Sequence, residues 1–233
     1  MGMKTIGLIG GMSWESTATY YRLINEEVRR QAGGLHSGKI ILFSVDFAEV
    51  EAMQTEGRWS EAGMLIGEAA LRLEKAGADF LMLCTNTMHK VVDQVAGCIT
   101  IPLLHIADAT GEKIVEDKLK SVGLLGTRFT MEEDFYRGRL EQKYGLRVVV
   151  PNGADRTIID TIIFQELCLG ITRQDSRKEY QRIVRNLADQ DVEAVILGCT
   201  EISLLLRPKD TTLVLYDTTA IHSSRGVKEM LSV

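Results

Sequence analysis

Short apolar runs alternate with stretches of helical periodicity along this chain, and the alternation begins afresh at mid-length. Thr5–Ile9, Lys39–Val45, Ala78–Leu83 and Ile101–Leu103 read as strands, and Ser121–Leu125, Arg147–Val150, Ala194–Leu197 and Leu213–Tyr216 read as a second set. Between them lie amphipathic segments at Trp14–Gln31, Ser60–Ala76, Thr87–Val95, Ile106–Leu119, Thr130–Tyr144, Ala154–Leu169, Ser176–Asp189, Glu201–Leu206 and Thr218–Met230. Parallel strands need a long crossover, usually a helix, and a sheet covered on both faces has uniformly apolar strands. The pattern therefore predicts an α/β protein of two similar lobes, each a mostly parallel four-stranded sheet flanked by helices. The first lobe should span residues 1–112, with the C-terminal helix (217–233) packing back on it, and the second 113–216.

A length of 233 residues with 45% apolar side chains and three prolines is enough for a sizeable core. The net charge of -5 gives no general footprint for nucleic acid or an anionic membrane. Four cysteines are too few for a disulfide scaffold, which points to a reducing, cytoplasmic setting. No apolar run is long enough to cross a bilayer.

Ligands of open α/β sheets sit beyond the carboxyl ends of the strands. Two of those ends carry reactive chemistry: LMLCTNTMH at residues 81–89 and VILGCTEIS at 195–203. Each apolar run stops at Cys-Thr and leads into a helix. Backbone N–H groups at such a helix start should lower the pKa of Cys199 below the free-thiol value of about 8.5. Burial as an inert core cysteine is the alternative, but Thr200 and Glu201 directly after it suit a wet cleft better. Cys84 and Thr85 must differ by phase, because consecutive residues at a strand end point in different directions. His89, one turn on, should stand behind the site.

The first glycine turn, Gly10-Gly11-Met12-Ser13, lacks the spacing of a dinucleotide fingerprint and of a phosphate-binding Gly-Lys-Ser/Thr loop. It should let the backbone approach a small ligand, with free N–H groups there holding a carboxylate. A tight turn with no ligand is the alternative. The four histidines have no ligand spacing and there is no Cys-x-x-Cys, so no metal site is expected. No Gly-x-Ser-x-Gly nucleophile elbow is present.

Taken together, IGLIGGMSWEST, CTNTMH and ILGCTEI resemble the aspartate/glutamate racemase family along essentially the whole chain, and its broad-specificity amino-acid racemase branch in particular. The resemblance implies two lobes related by a pseudo-twofold, a substrate between them, no cofactor and commonly a homodimer. In that family two cysteines face the substrate Cα from opposite sides, one taking the α-proton and the other returning one. The family's first cysteine falls on Thr85 here, and the second on Cys199. The resemblance also places Gly11, Met12, Ser13, Asn86, Thr87, Thr200 and Glu201 at the substrate, with Thr127, Phe129 and Thr130 as a second-lobe turn. Gln54 and Arg58, on the loop after the second strand, would meet the substrate's side chain, and Glu166 would face the same region.

A hydroxyl is a poor base at neutral pH, whereas a thiol is already a few per cent ionised. Thr85 can protonate a carbanion but is ill suited to forming one, so racemisation should be asymmetric or slow. A one-cysteine decarboxylase or isomerase on the same scaffold is a rival reading, as is an amino-acid-binding protein with reduced catalysis.

Overall fold

A computed structural model describes residues 2–232; Met1 and Val233, the outermost residues of the expected first lobe, lie outside them. In chain order the elements are β1 (Ile6–Gly10), α1 (Trp14–Ala32), β2 (Ile40–Ser44), α2 (Phe47–Thr55), α3 (Trp59–Lys75), β3 (Phe80–Leu83), α4 (Val92–Ala96), β4 (Leu103–Leu104) and α5 (Ile106–Glu116). They continue as β5 (Ser121–Gly126), α6 (Arg128–Glu132), α7 (Arg137–Tyr144), β6 (Arg147–Val149), α8 (Gly153–Gln165), α9 (Gln174–Ala188), β7 (Ala194–Gly198), α10 (Ile202–Leu205), β8 (Val214–Asp217) and α11 (Thr218–Leu231).

The chain divides into two compact units, Met1–Ile106 with His222–Val233, and Ala107–Ile221. Each holds one four-stranded, all-parallel sheet, ordered β2-β1-β3-β4 in the first and β6-β5-β7-β8 in the second. The two orders are the same when strands are counted within each unit, so the fold is a repeat of one topology. The crossings lie at 106/107 and 221/222, where the sequence pattern had placed them at 112/113 and 216/217.

Strand alternation divides the first unit's core. Ile6, Leu8, Phe80, Met82 and Cys84 pack with Tyr20, Ile24 and Val28 of α1 and with Val227 and Met230 of α11. Ile9, Leu81 and Leu83 face the other way, onto Ile66, Ala69, Ala70 and Leu73 of α3. In the second unit Leu125, Val195 and Leu197 pack on Ile159, Ile163, Tyr180, Ile183 and Leu187 from α8 and α9. Burying each such aliphatic side chain contributes about 1.5–3 kcal/mol, which makes these faces the main support of both rims.

Three local expectations change. Helix α2 was read as loop; its one fully buried apolar side chain is Val50, so it has no apolar stripe, and it starts because the Asp46 carboxylate caps Ala48 N–H at 3.0 Å. The expected helix 130–144 is two helices, since Glu133 is extended (ψ 154°) after α6. The helix expected at 154–169, which the sequence would cap with Asp155, is capped by Asn152, whose side chain accepts from Asp155 N–H at 3.0 Å, while Asp155 pairs with Arg182 at 2.5 Å.

Gly11 has φ +97°, a region open to glycine, and a Cβ there would fall on the backbone N and O of Val45. Gly11→Ala should therefore destabilise the protein by about 1–3 kcal/mol. The urea midpoint followed by circular dichroism measures this, and a midpoint equal to wild type would remove the strain argument.

Candidate active site

Register sets the level of each rim. Ile9 pairs with Leu83 and Gly10 with Ser44, so the turns after β1, β2 and β3 leave the first sheet together. Leu125 pairs with Leu197 and Gly126 with Gly198, so those after β5 and β7 leave the second sheet together. The two sheets share one order, and Ile9-Gly10 corresponds to Leu125-Gly126. Leu83 then corresponds to Leu197, Cys84 to Gly198, Thr85 to Cys199 and Thr87 to Glu201. The repeated Cys-Thr letters suggest pairing Cys84 with Cys199, but the register pairs Thr85 with Cys199.

Burial agrees. Cys84 is fully buried among Ile6, Leu8 and Tyr20, and desolvation pushes its thiol pKa far up. Thr85 keeps 8% exposure, as does Cys199.

The first rim is built from hydroxyls. Ser16 Oγ of α1 donates to the Cys84 carbonyl at 3.2 Å, fixing the start of the turn. Ser13 caps α1 by accepting from Ser16 N–H at 3.3 Å. The Gly11 N–H was expected to be available for a carboxylate. It donates instead to Thr17 Oγ1 at 2.9 Å, and that hydroxyl donates on to the Ser13 carbonyl at 2.9 Å.

His89, 1% exposed, sits behind Thr85. Its Nε2 accepts from Ile106 N–H at 3.2 Å, so the ring hydrogen is on Nδ1, which donates to the Thr85 carbonyl at 2.8 Å. The neighbouring His222 donates from Nε2 to the Leu104 carbonyl and accepts from Tyr20 Oη on Nδ1, at 3.0 and 2.9 Å. Burial drives its pKa down to about 3, so it is a neutral packing histidine. Among the described residues no group of three or more His, Cys, Asp or Glu is placed to hold a metal ion.

Gln54, 4% exposed at the end of α2, reaches Met88 Sδ at 3.1 Å. Arg58, between α2 and α3, is engaged by Glu56 at 2.6 Å and Glu61 at 3.0 Å. A substrate carboxylate would have to compete with both.

In the second unit Thr127 caps α6, its Oγ1 accepting from Thr130 N–H at 3.3 Å, with half-buried Phe129 between them. Glu166, at the end of α8, accepts from Ser176 Oγ at 2.7 Å and lies 4.0 Å from Arg173.

Cys199 continues the inward parity of Val195 and Leu197, and its thiol donates to Glu201 Oε2 at 3.0 Å. Thr200 Oγ1 donates to the same oxygen at 2.7 Å. The thiol pKa lies well above its ordinary value, first through burial and next through the Glu201 charge. This reverses the expected direction. The following helix, α10, has only four residues, too short for a strong dipole, and a carboxylate lies against the sulfur. The hydrogen bond between Cys199 and Glu201 is the feature of this rim that sequence reading missed; the two-residue spacing at a strand end was its only sign.

Residues 9–225 match the family model described as Asp/Glu/Hydantoin racemase. A crystal structure of a candidate Asp/Glu racemase from Yersinia pestis superposes with a TM-score of 0.92 at 51% identity, covering 99% of this chain and 100% of that one. An aspartate racemase homologue from Pyrococcus horikoshii gives 0.83 at 36% identity, over 98% and 99%. The broad specificity amino-acid racemase RacX of Bacillus subtilis is 24% identical over 168 residues, 71% of this chain and 70% of its own.

Proposed function

The chain belongs to the Asp/Glu/hydantoin racemase family, and from that membership we propose that it is an amino-acid racemase needing no pyridoxal phosphate. Its substrates are glutamate, aspartate or a broader set that includes them. Cys199 and Thr85 work on opposite faces of the substrate Cα. What supports this most is the register, which puts a hydroxyl and a thiol at the same position of two like sheets.

Cys199 removes the α-proton from the enantiomer that presents it to the sulfur. The electron pair of the C–H bond passes to the α-carbon and its carboxylate. Hydrogen-bond donors of the rims, Asn86 and Thr87 foremost, stabilise that charge where it develops. Thr85 then gives its hydroxyl proton to the opposite face, and inversion results. The reverse direction requires Thr85 to act as base, which its hydroxyl does poorly.

This asymmetry has a direct signature in deuterium oxide. A proton taken by Cys199 exchanges with solvent and is returned to the same face as deuterium. Wild-type enzyme should therefore exchange the α-hydrogen of one enantiomer with retention at least about ten times faster than it inverts it, given the weight of a well-matched acid or base. Proton NMR follows the exchange and chiral chromatography follows inversion, starting from separate L- and D-glutamate and aspartate. Equal exchange and inversion from both enantiomers would show Thr85 to be as competent as Cys199. No exchange with any amino acid tested would end the racemase reading.

A further inference from the structure

Resting on the racemase reading above, we infer that Glu201 is the proton acceptor of Cys199: its carboxylate takes the thiol proton so that the sulfur can attack the α-hydrogen, and it is not a ligand of the substrate. The geometry is direct. The thiol points at Glu201 Oε2 from 3.0 Å, and the Thr200 hydroxyl fixes that same oxygen from 2.7 Å. The backbone holds both residues in one turn, with Ile202 N–H on the Cys199 carbonyl at 3.2 Å and Leu204 N–H on that of Glu201 at 3.0 Å. The carboxylate residue is 3% exposed, so bulk water is largely kept from the oxygen that the thiol and the Thr200 hydroxyl share.

The repeat supplies an internal control. By register Thr87 stands in the first unit where Glu201 stands in the second, and Thr85 stands where Cys199 stands. The half that carries the thiol carries a carboxylate two residues on, and the half that carries a hydroxyl carries a second hydroxyl. A thiol used as a base must first lose its proton, and burial makes that loss costly at this site. A hydroxyl used as an acid needs no acceptor. The carboxylate is therefore present on the side where the chemistry calls for one.

Other titratable groups near the sulfur do not compete. Tyr180 of α9 packs into the same core, but its hydroxyl donates to the Ile159 carbonyl at 3.4 Å, and burial keeps it protonated. Cys168, in the turn after α8, is another thiol and a weaker acceptor than a carboxylate.

The step balances within the pair. The S–H bond breaks, its proton forms an O–H bond on Glu201, and the sulfur keeps the electron pair. The thiolate then takes the α-hydrogen as a proton, Thr85 supplies the proton of the other face, and solvent returns one to Thr85 and removes one from Glu201 when product leaves.

Glu201→Gln tests this because it moves two readouts in opposite directions. Removing the negative charge favours the thiolate, so iodoacetamide should alkylate Cys199 faster than in wild type at pH 7.5, read by mass spectrometry on the peptide containing it. Deuterium exchange at the substrate α-carbon should nonetheless fall about 10²-fold. Exchange that is unchanged or faster in Glu201→Gln would make the carboxylate a brake on the thiol and overturn the inference. If Glu201→Gln does not fold, Glu201→Asp decides: the retained carboxylate should keep exchange within about tenfold of wild type, and exchange lost as fully as in Cys199→Ser overturns the inference. A wild type that exchanges no amino acid refutes the racemase reading itself, and the alkylation contrast is then read on its own.

Discussion

Cys199→Ser should lower α-hydrogen exchange and racemisation by about 10²–10⁴-fold, the span of a positioned acid or base. The change replaces sulfur by oxygen and keeps the shape of the side chain. Glu201 remains as acceptor, since a serine hydroxyl can donate to the same carboxylate oxygen that now receives the thiol at 3.0 Å. Folding should survive, because the residue is small, keeps 8% exposure and sits at the end of β7. What is lost is acidity: the hydroxyl of serine is far harder to ionise than a thiol, and the burial that raises the pKa of Cys199 would raise that of serine as well. Wild type and variant are compared by deuterium exchange on L- and D-glutamate and aspartate, with thermal melts to show that both are folded. Exchange within tenfold of wild type in the folded variant would remove Cys199 from the chemistry.

The two-sheet architecture was legible because parallel strands buried on both faces leave a strong mark. Ile6–Gly10, Phe80–Leu83 and Ala194–Gly198 are uniformly buried, and their apolar letters say so. The separation of Cys84 from Thr85 was legible for the same reason, since strand parity continues one residue past the last ladder pair. Other features were hidden because a few local hydrogen bonds decide them. Asp46 starts α2 without an apolar stripe, and Asn152 wins the cap that Asp155 leaves for Arg182. Thr17 claims the Gly11 N–H from six residues away. Helix position argued for a lowered pKa at Cys199, but burial raises it first and the Glu201 charge at 3.0 Å adds to that, against a helix of only four residues.

Thr85→Cys should have the opposite effect, raising racemisation in both directions by about 10²-fold, because both cross the proton transfer at residue 85 and a thiol replaces a hydroxyl there. The backbone of the turn does not depend on the side chain being changed. The Thr85 carbonyl is held by His89 Nδ1–H at 2.8 Å, His89 is held in turn by Ile106 N–H at 3.2 Å, and the preceding carbonyl is held by Ser16 at 3.2 Å. The new thiol would therefore stand where the hydroxyl stood. The adjacent Cys84 would not confuse the result, since its sulfur belongs to the packed side of the sheet with Ile6, Leu8 and Tyr20. The new thiol would lack one thing that Cys199 has, for Thr87 and not a carboxylate lies two residues on. The gain should then be largest at alkaline pH, where a thiol ionises without help, and should shrink toward neutrality. Initial rates from each enantiomer between pH 7 and 9 measure this, together with the ratio of exchange to inversion, which should fall toward one. Rates unchanged in both directions would mean that residue 85 does not face the reacting carbon. A gain independent of pH would mean that the new thiol finds an acceptor other than the one the repeat assigns to Cys199.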